Sequence, residues 1–70
     1  MTVIIRKNSR EQIHVERRDY MGHDLINVRV WFDDGSGEYR PGKQGIAIRV
    51  ELVGEVIEAL GETVSLKEEA

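Results

Sequence analysis

Apolar and polar residues alternate through much of the first fifty positions, and then the period changes. Ile13 and Val15 alternate against His14 and Glu16, which predicts a strand over Gln12–Arg17. The strongest alternation runs over Asp24–Phe32, a segment rich in β-branched and aromatic residues. Ile26, Val28, Val30 and Phe32 fall on one face of that strand, and Leu25, Asn27, Arg29 and Trp31 on the other. A polar turn around Tyr20-Met21-Gly22-His23 separates the two strands. Asp33-Asp34-Gly35-Ser36-Gly37 predicts a second turn, because glycine accepts positive φ and aspartate caps exposed amides. Glu38–Arg40 then reads as a short strand stopped by Pro41-Gly42-Lys43-Gln44-Gly45, and Ile46–Arg49 as a fourth strand.

From Val50 the spacing becomes helical. Val50, Val53, Val56, Ile57 and Leu60 form one apolar stripe, while Glu51, Glu55 and Glu58 line much of the other side. Gly61 stands just past the stripe, where a C′ residue is expected. Glu62–Ala70 is then an acidic tail expected to fray. Gly54, inside the helix, costs about 1 kcal/mol relative to alanine and calls for a close packing neighbour. Met1–Glu11 is an N-terminal arm, with a short strand through Val3–Ile5 and then a loop.

The expected fold is α+β: a four-stranded antiparallel sheet followed by one C-terminal helix, in a single domain with its core at 12–60. Seventy residues bury a modest fraction of their surface, and one helix covers only part of a sheet face. Cysteine is absent, so neither disulfides nor thiolate metal sites staple the fold. A second copy carrying the same apolar surplus is the economical solution, which predicts a homodimer paired through Val53, Val56, Ile57 and Leu60. No segment approaches the roughly 20 apolar residues of a membrane span. Val3–Ile5 is too short for the core of a signal peptide. The expected location is therefore intracellular: the cytoplasm and nucleoid of a bacterium, or a eukaryotic nucleus.

The net charge of −3 is unevenly distributed. Residues 1–50 carry nine Lys/Arg against seven Asp/Glu, or +2, and residues 51–70 carry one Lys against six Glu, or −5. Local field decides where an anion docks, and the front of the chain is free to be positive. Enzymatic chemistry has little to work with. Ser9, Ser36 and Ser65 lack an adjacent histidine, and His14 and His23 lie on different elements without a local ligand set. Asp33 and Asp34 read as turn formers rather than a catalytic pair. Pro41–Gly45 lacks the spacing of a phosphate loop. No catalytic residue, metal site or cofactor is expected. By contrast, Arg17, Arg18, Tyr20, His23, Arg29, Trp31, Phe32, Tyr39, Arg40 and Lys43 lie within 27 residues. Cations that follow phosphates and rings that stack on unpaired bases are what single-stranded nucleic acid requires.

The run Ile26-Asn27-Val28-Arg29-Val30-Trp31-Phe32-Asp33, followed by Gly37-Glu38-Tyr39-Arg40-Pro41-Gly42-Lys43-Gln44-Gly45-Ile46-Ala47-Ile48, resembles the transcriptional coactivator family of positive cofactor 4. The resemblance covers roughly Ile13–Leu60 and is most specific over Arg40–Ile48. It implies helix-mediated dimers whose paired sheets hold two antiparallel single strands of DNA. It also implies roles in transcription, replication or repair, and with them the corresponding protein machinery as partner. By position, Arg29, Phe32, Arg40 and Lys43 become nucleic-acid contacts and Tyr20 a stacking aromatic in the first hairpin. Arg17 and Arg18 add the first strand's charge. Gln44, Met21 and His23 stand where the family is more basic, and Arg49-Val50 replaces its Asn-Pro helix start. The family's Ser- and Lys-rich regulatory extension has no counterpart here, as expected of a minimal bacterial or phage-like version. Strict alternation puts Trp31 beside Arg29, whereas the resemblance makes Phe32 the stacking ring and Trp31 a core residue; a bulge near the strand's end would reconcile the two. The expected function is sequence-tolerant binding of single-stranded DNA, or RNA. Two rivals are a protein-interaction adaptor that keeps the dimer alone, and a ribbon-helix-helix duplex binder, for which the nine residues after Gly61 make a poor second helix.

Overall fold

A computed structural model of the chain describes residues 1–69, with side chains through Ser65. Four strands, β1 (Thr2–Arg6), β2 (Glu11–Tyr20), β3 (His23–Asp33) and β4 (Tyr39–Arg49), form one antiparallel sheet in sequential order. A single 3-10 turn, Val50–Leu52, leads into α1 (Val53–Glu69). The expected architecture of four strands and one C-terminal helix is therefore present, with two changes in how the strands are cut. The N-terminal segment supplies a full strand, paired from Thr2↔Glu16 to Arg6↔Gln12. The two short strands expected over 38–40 and 46–49 are one strand, because Pro41–Gly45 bulges without leaving the sheet.

Each turn has a local cause. Met21 (φ 51°) and Gly22 (φ 82°) make a two-residue hairpin loop with both residues left-handed, the geometry that matches the twist of the flanking strands. Asp19 Oδ1 accepts the Gly22 amide at 3.2 Å. Between β3 and β4, Asp33 Oδ1 and Asp34 Oδ1 each accept an amide two residues on, from Gly35 and Ser36, both at 2.9 Å. The aspartates are turn formers, as their setting among glycines predicts. Between β1 and β2, Asn8 Oδ1 accepts the amides of both Arg10 and Glu11.

Pairing sorts the side chains onto two faces, since partners in antiparallel strands point the same way. Val3, Ile5, Ile13, Val15, Ile26, Val28, Val30, Ile46 and Ile48 share one face by register. His14, Glu16, Arg18, Tyr20, Asn27, Arg29 and Trp31 share the other. The helix does not cover the apolar face. The main contact of the C-terminal segment with the sheet is the 3-10 turn lying against β3. Among the described residues none is fully buried. The chain spreads over 42 × 38 × 19 Å, with a radius of gyration of 14.4 Å. A compact domain of this length has about 11 Å.

The helix also corrects three expectations. It continues through Gly61, whose φ is not left-handed, so that residue is no C′ stop. Val64, four residues beyond Leu60, prolongs the apolar stripe, and Thr63 Oγ1 donates back to the Ala59 carbonyl at 2.7 Å. The segment expected to fray is helical to Glu69, and Ala70 lies outside the described residues. Gly54 lacks the neighbour expected for it, because a Cβ there would meet no atom within 4 Å in the protomer. The helix start has no side-chain cap at Arg49, in keeping with the missing Asn-Pro.

Candidate nucleic-acid interface

The seven residues expected to contact nucleic acid fall into three groups. Arg18, Tyr20 and Arg29 lie on the polar face. Two adjoining grooves cross that face and share Arg18, Asn27 and Arg29. One reaches Tyr20 and Leu25, and the other reaches His14, Glu16, Trp31 and Pro41. Phe32, Arg40 and Lys43 form a second group around the end of β3, on the opposite side of the sheet. Arg17 stands apart. It pairs with Ile26 on the apolar face, where Nε and Nη2 engage both carboxylate oxygens of Asp24.

The bulge joins the first two groups. Arg29 pairs with Gly45 and Trp31 with Pro41, so Gly42, Lys43 and Gln44 oppose Val30 alone. Two glycines make this possible. A Cβ at Gly42 would stand 2.9 Å from the Val30 carbonyl oxygen and 3.6 Å from Phe32 Cδ1. One at Gly45 would stand 2.9 Å from the Val28 carbonyl oxygen and 3.0 Å from Arg29 Cζ. Side chains at these positions would press on β3 carbonyls, and one at Gly45 would also displace the Arg29 guanidinium. In their absence Arg29 lies over Gly45 and its Nη1 donates to the Gly42 carbonyl at 2.9 Å. Phe32, 41% exposed, lines a shallow pocket with Glu11, Val30, Gly42, Lys43 and Gln44. Phe32 of β3 and Lys43 of the edge strand β4 thus line one pocket at the bulge.

This geometry corrects the expected position of the bulge. β2 pairs with β3 without interruption from Glu11↔Phe32 to Tyr20↔His23, so β3 alternates strictly and the irregularity belongs to β4. Trp31 is on Arg29's face and is half-buried. Its ring stacks on His14, with centroids 4.3 Å apart and planes 7° from parallel. His14 Nε2 lies 2.9 Å from Gln12 Oε1. His14, Glu16 and Asn27 line the groove and were not singled out by sequence reasoning as contacts. Counting outward from the Met21-Gly22 turn pairs His14 with Arg29 and Glu16 with Asn27, and that count was available.

The cations differ in how they are held. Arg40 Nε donates to Asp34 Oδ2 at 2.6 Å, and Ser36 Oγ donates to Asp34 Oδ1 at 2.5 Å. These contacts, Ser36's first and then Arg40's, hold the Asp34 carboxyl well below the usual carboxylate range. Arg40's terminal nitrogens stay free of that pair. Arg18 Nε donates to Glu16 Oε1 at 2.5 Å, which lowers the Glu16 pKa. Lys43 makes no ion pair among the described residues.

Residues 7–59 match the family model of Transcriptional Coactivator p15 (PC4). The chain belongs to the PC4 family. Its fold superposes on two crystal forms of a PC4 homolog from Burkholderia pseudomallei at 32% identity. The orthorhombic form gives a TM-score of 0.81 over 89% of this chain and 84% of that one. The tetragonal form gives 0.82 over 91% and 96%. A bacteriophage T5 homolog of the eukaryotic coactivator PC4, implicated in recombination-dependent DNA replication, shares the fold with a TM-score of 0.76. It is 21% identical, over 97% of this chain and 80% of that one. PC4 proteins are DNA-binding coactivators, and the motif that carries the resemblance, Arg40–Ile48, is the bulged half of β4. No helix among the described residues of this PC4-family chain is long and apolar enough to cross a membrane.

Proposed function

We propose that this PC4-family chain binds single-stranded DNA as a homodimer, with little sequence preference, and serves transcription, replication or repair at melted DNA. The division of the sheet into two unlike faces supports this reading above all. One face is apolar and left open by its own helix, and the helix itself presents Ile57 and Leu60 at 63% and 62% exposure. A second copy offers a matching surface and brings the compactness one protomer lacks.

The other face and the β4 rim carry what a single strand needs. Arg18 and Arg29 follow the backbone, Tyr20 and Phe32 offer rings for unpaired bases, and Arg40 and Lys43 supply charge at the rim. A strand engaging both groups crosses the sheet edge at the bulge. The contacts are charge and stacking, which every sequence offers equally.

Competition binding with single-stranded DNA, duplex DNA and RNA of equal length tests the proposal. Single strands are expected to win, and single-stranded oligonucleotides of different composition to bind within about tenfold of one another. Neutralising Arg40 or Lys43 should flatten the dependence of log K on log salt by about 0.7 per contact. A preference for duplex, or a hundredfold preference for one single-stranded sequence, would overturn it.

A further inference from the structure

Among the described residues, Glu16 is the one carboxylate lining the polar-face groove that holds His14, Arg18, Asn27, Arg29, Trp31 and Pro41. It is pinned from two sides. Thr2 Oγ1 of β1 donates to Oε2 at 3.2 Å, and Arg18 Nε of its own strand donates to Oε1 at 2.5 Å. The Glu16 side chain is 27% exposed, whereas Arg18 is 60% exposed and open to an incoming anion. A phosphate laid along this groove meets an arginine whose charge is already countered, and a carboxylate that repels it.

Resting on the proposed single-strand binding, we infer that Glu16 limits the affinity of this groove by competing with nucleic-acid phosphate for Arg18. Binding at this point of the groove is an exchange: the carboxylate gives up the guanidinium and the phosphate takes it. No covalent bond changes. Since the internal counter-charge is always present, Arg18 contributes less to affinity and to salt dependence than its position suggests.

The Arg17–Asp24 pair is a built-in control. It is also an arginine paired with a carboxylate, the two arginines being almost equally exposed and Asp24 more open than Glu16, but it lies on the apolar face and away from the groove. Removing either carboxylate changes the net charge by the same amount. Only at Glu16 does removal free a cation in the path of the strand.

The test measures binding of an oligothymidine by the full chain over a series of salt concentrations. Glu16→Gln should tighten binding about two- to fivefold, the scale of an exposed ion pair. It should steepen the log K–log salt slope by about 0.7, as one more counterion is released. Asp24→Asn should change both less. In an Arg18→Gln background the gain from Glu16→Gln should vanish, because the two residues form one coupled unit. Equal gains from Glu16→Gln and Asp24→Asn, a gain that persists without Arg18, or weaker binding by a folded Glu16→Gln protein each overturn the inference. Failure of the wild type to bind any single strand overturns the underlying function instead. Circular dichroism of each variant separates a folding defect from a binding one, and Glu16→Ala provides a second neutral side chain should Gln disturb the strand.

Discussion

Trp31 and Phe32 are neighbours in sequence, yet the strand sends them to opposite faces. Trp31 is half-buried against the His14 ring, and Phe32 stands at the rim beside Lys43. Their losses should therefore differ in kind. Phe32→Ala is expected to cost roughly 1–3 kcal/mol of single-strand binding and to leave the salt slope unchanged, because the ring carries no charge. Trp31→Ala is expected to lower the melting temperature first, through loss of the aromatic stack. Fluorescence anisotropy and thermal melts of the two variants, side by side, check this. If Phe32→Ala unfolds the protein while Trp31→Ala folds and loses binding, the roles are reversed. The motif names Phe32 as the stacking ring, and the structure leaves that ring exposed, but local pattern does not show why. The motif points to a displacement in β3, whereas the extra residues are in β4, and only pairing across the two strands reveals that.

At the scale of elements, the hairpins were the most legible part of the chain. Met21-Gly22 and Asp33–Gly37 announce turns, and the alternation over 24–32 fixes which residues share a face. Strand β1 was harder to see, because Val3-Ile4-Ile5 is a run rather than an alternation and takes its order from pairing with β2. The helix end was misread for a related reason. Gly61 looks like a stop, yet the Leu60–Val64 spacing continues the stripe through it. The β3–β4 loop makes its own prediction. The Asp34 carboxyl titrates lower in the folded protein than in the unfolded chain. Its contribution to loop order is then complete above the ordinary carboxylate range, near pH 4, and is lost as the pH falls through the folded value. Carboxyl-detected NMR should find Asp34 still ionised at a pH where the unfolded chain's aspartates are half protonated. Asp34→Asn should give Arg40 more rotamer freedom at neutral pH.

For the whole molecule, the decisive property is what a lone protomer leaves uncovered. Ile57→Asp sets a charge on the exposed helix stripe, where burial against a partner makes it costly. Sedimentation should show dimers for the wild type at micromolar concentration and monomers or unfolded chain for Ile57→Asp. On the proposed dimer, folding and association are one equilibrium, so the wild-type melting temperature should rise with protein concentration. The bulge has a further consequence, for chain length. Gly42, Lys43 and Gln44 stand opposite one residue, so β4 is longer than its partner by two, an even number, and Pro41 and Gly45 still point to the same side. Parity is thereby conserved across the irregularity. Insertions or deletions of two residues within β2, β3 or β4 keep every side chain on its own side. A change of one turns all that follows upside down, sending Arg29 to the apolar face and Val28 to the polar one. Length variation in these strands should therefore come in even steps, and odd ones should appear only in the three turns.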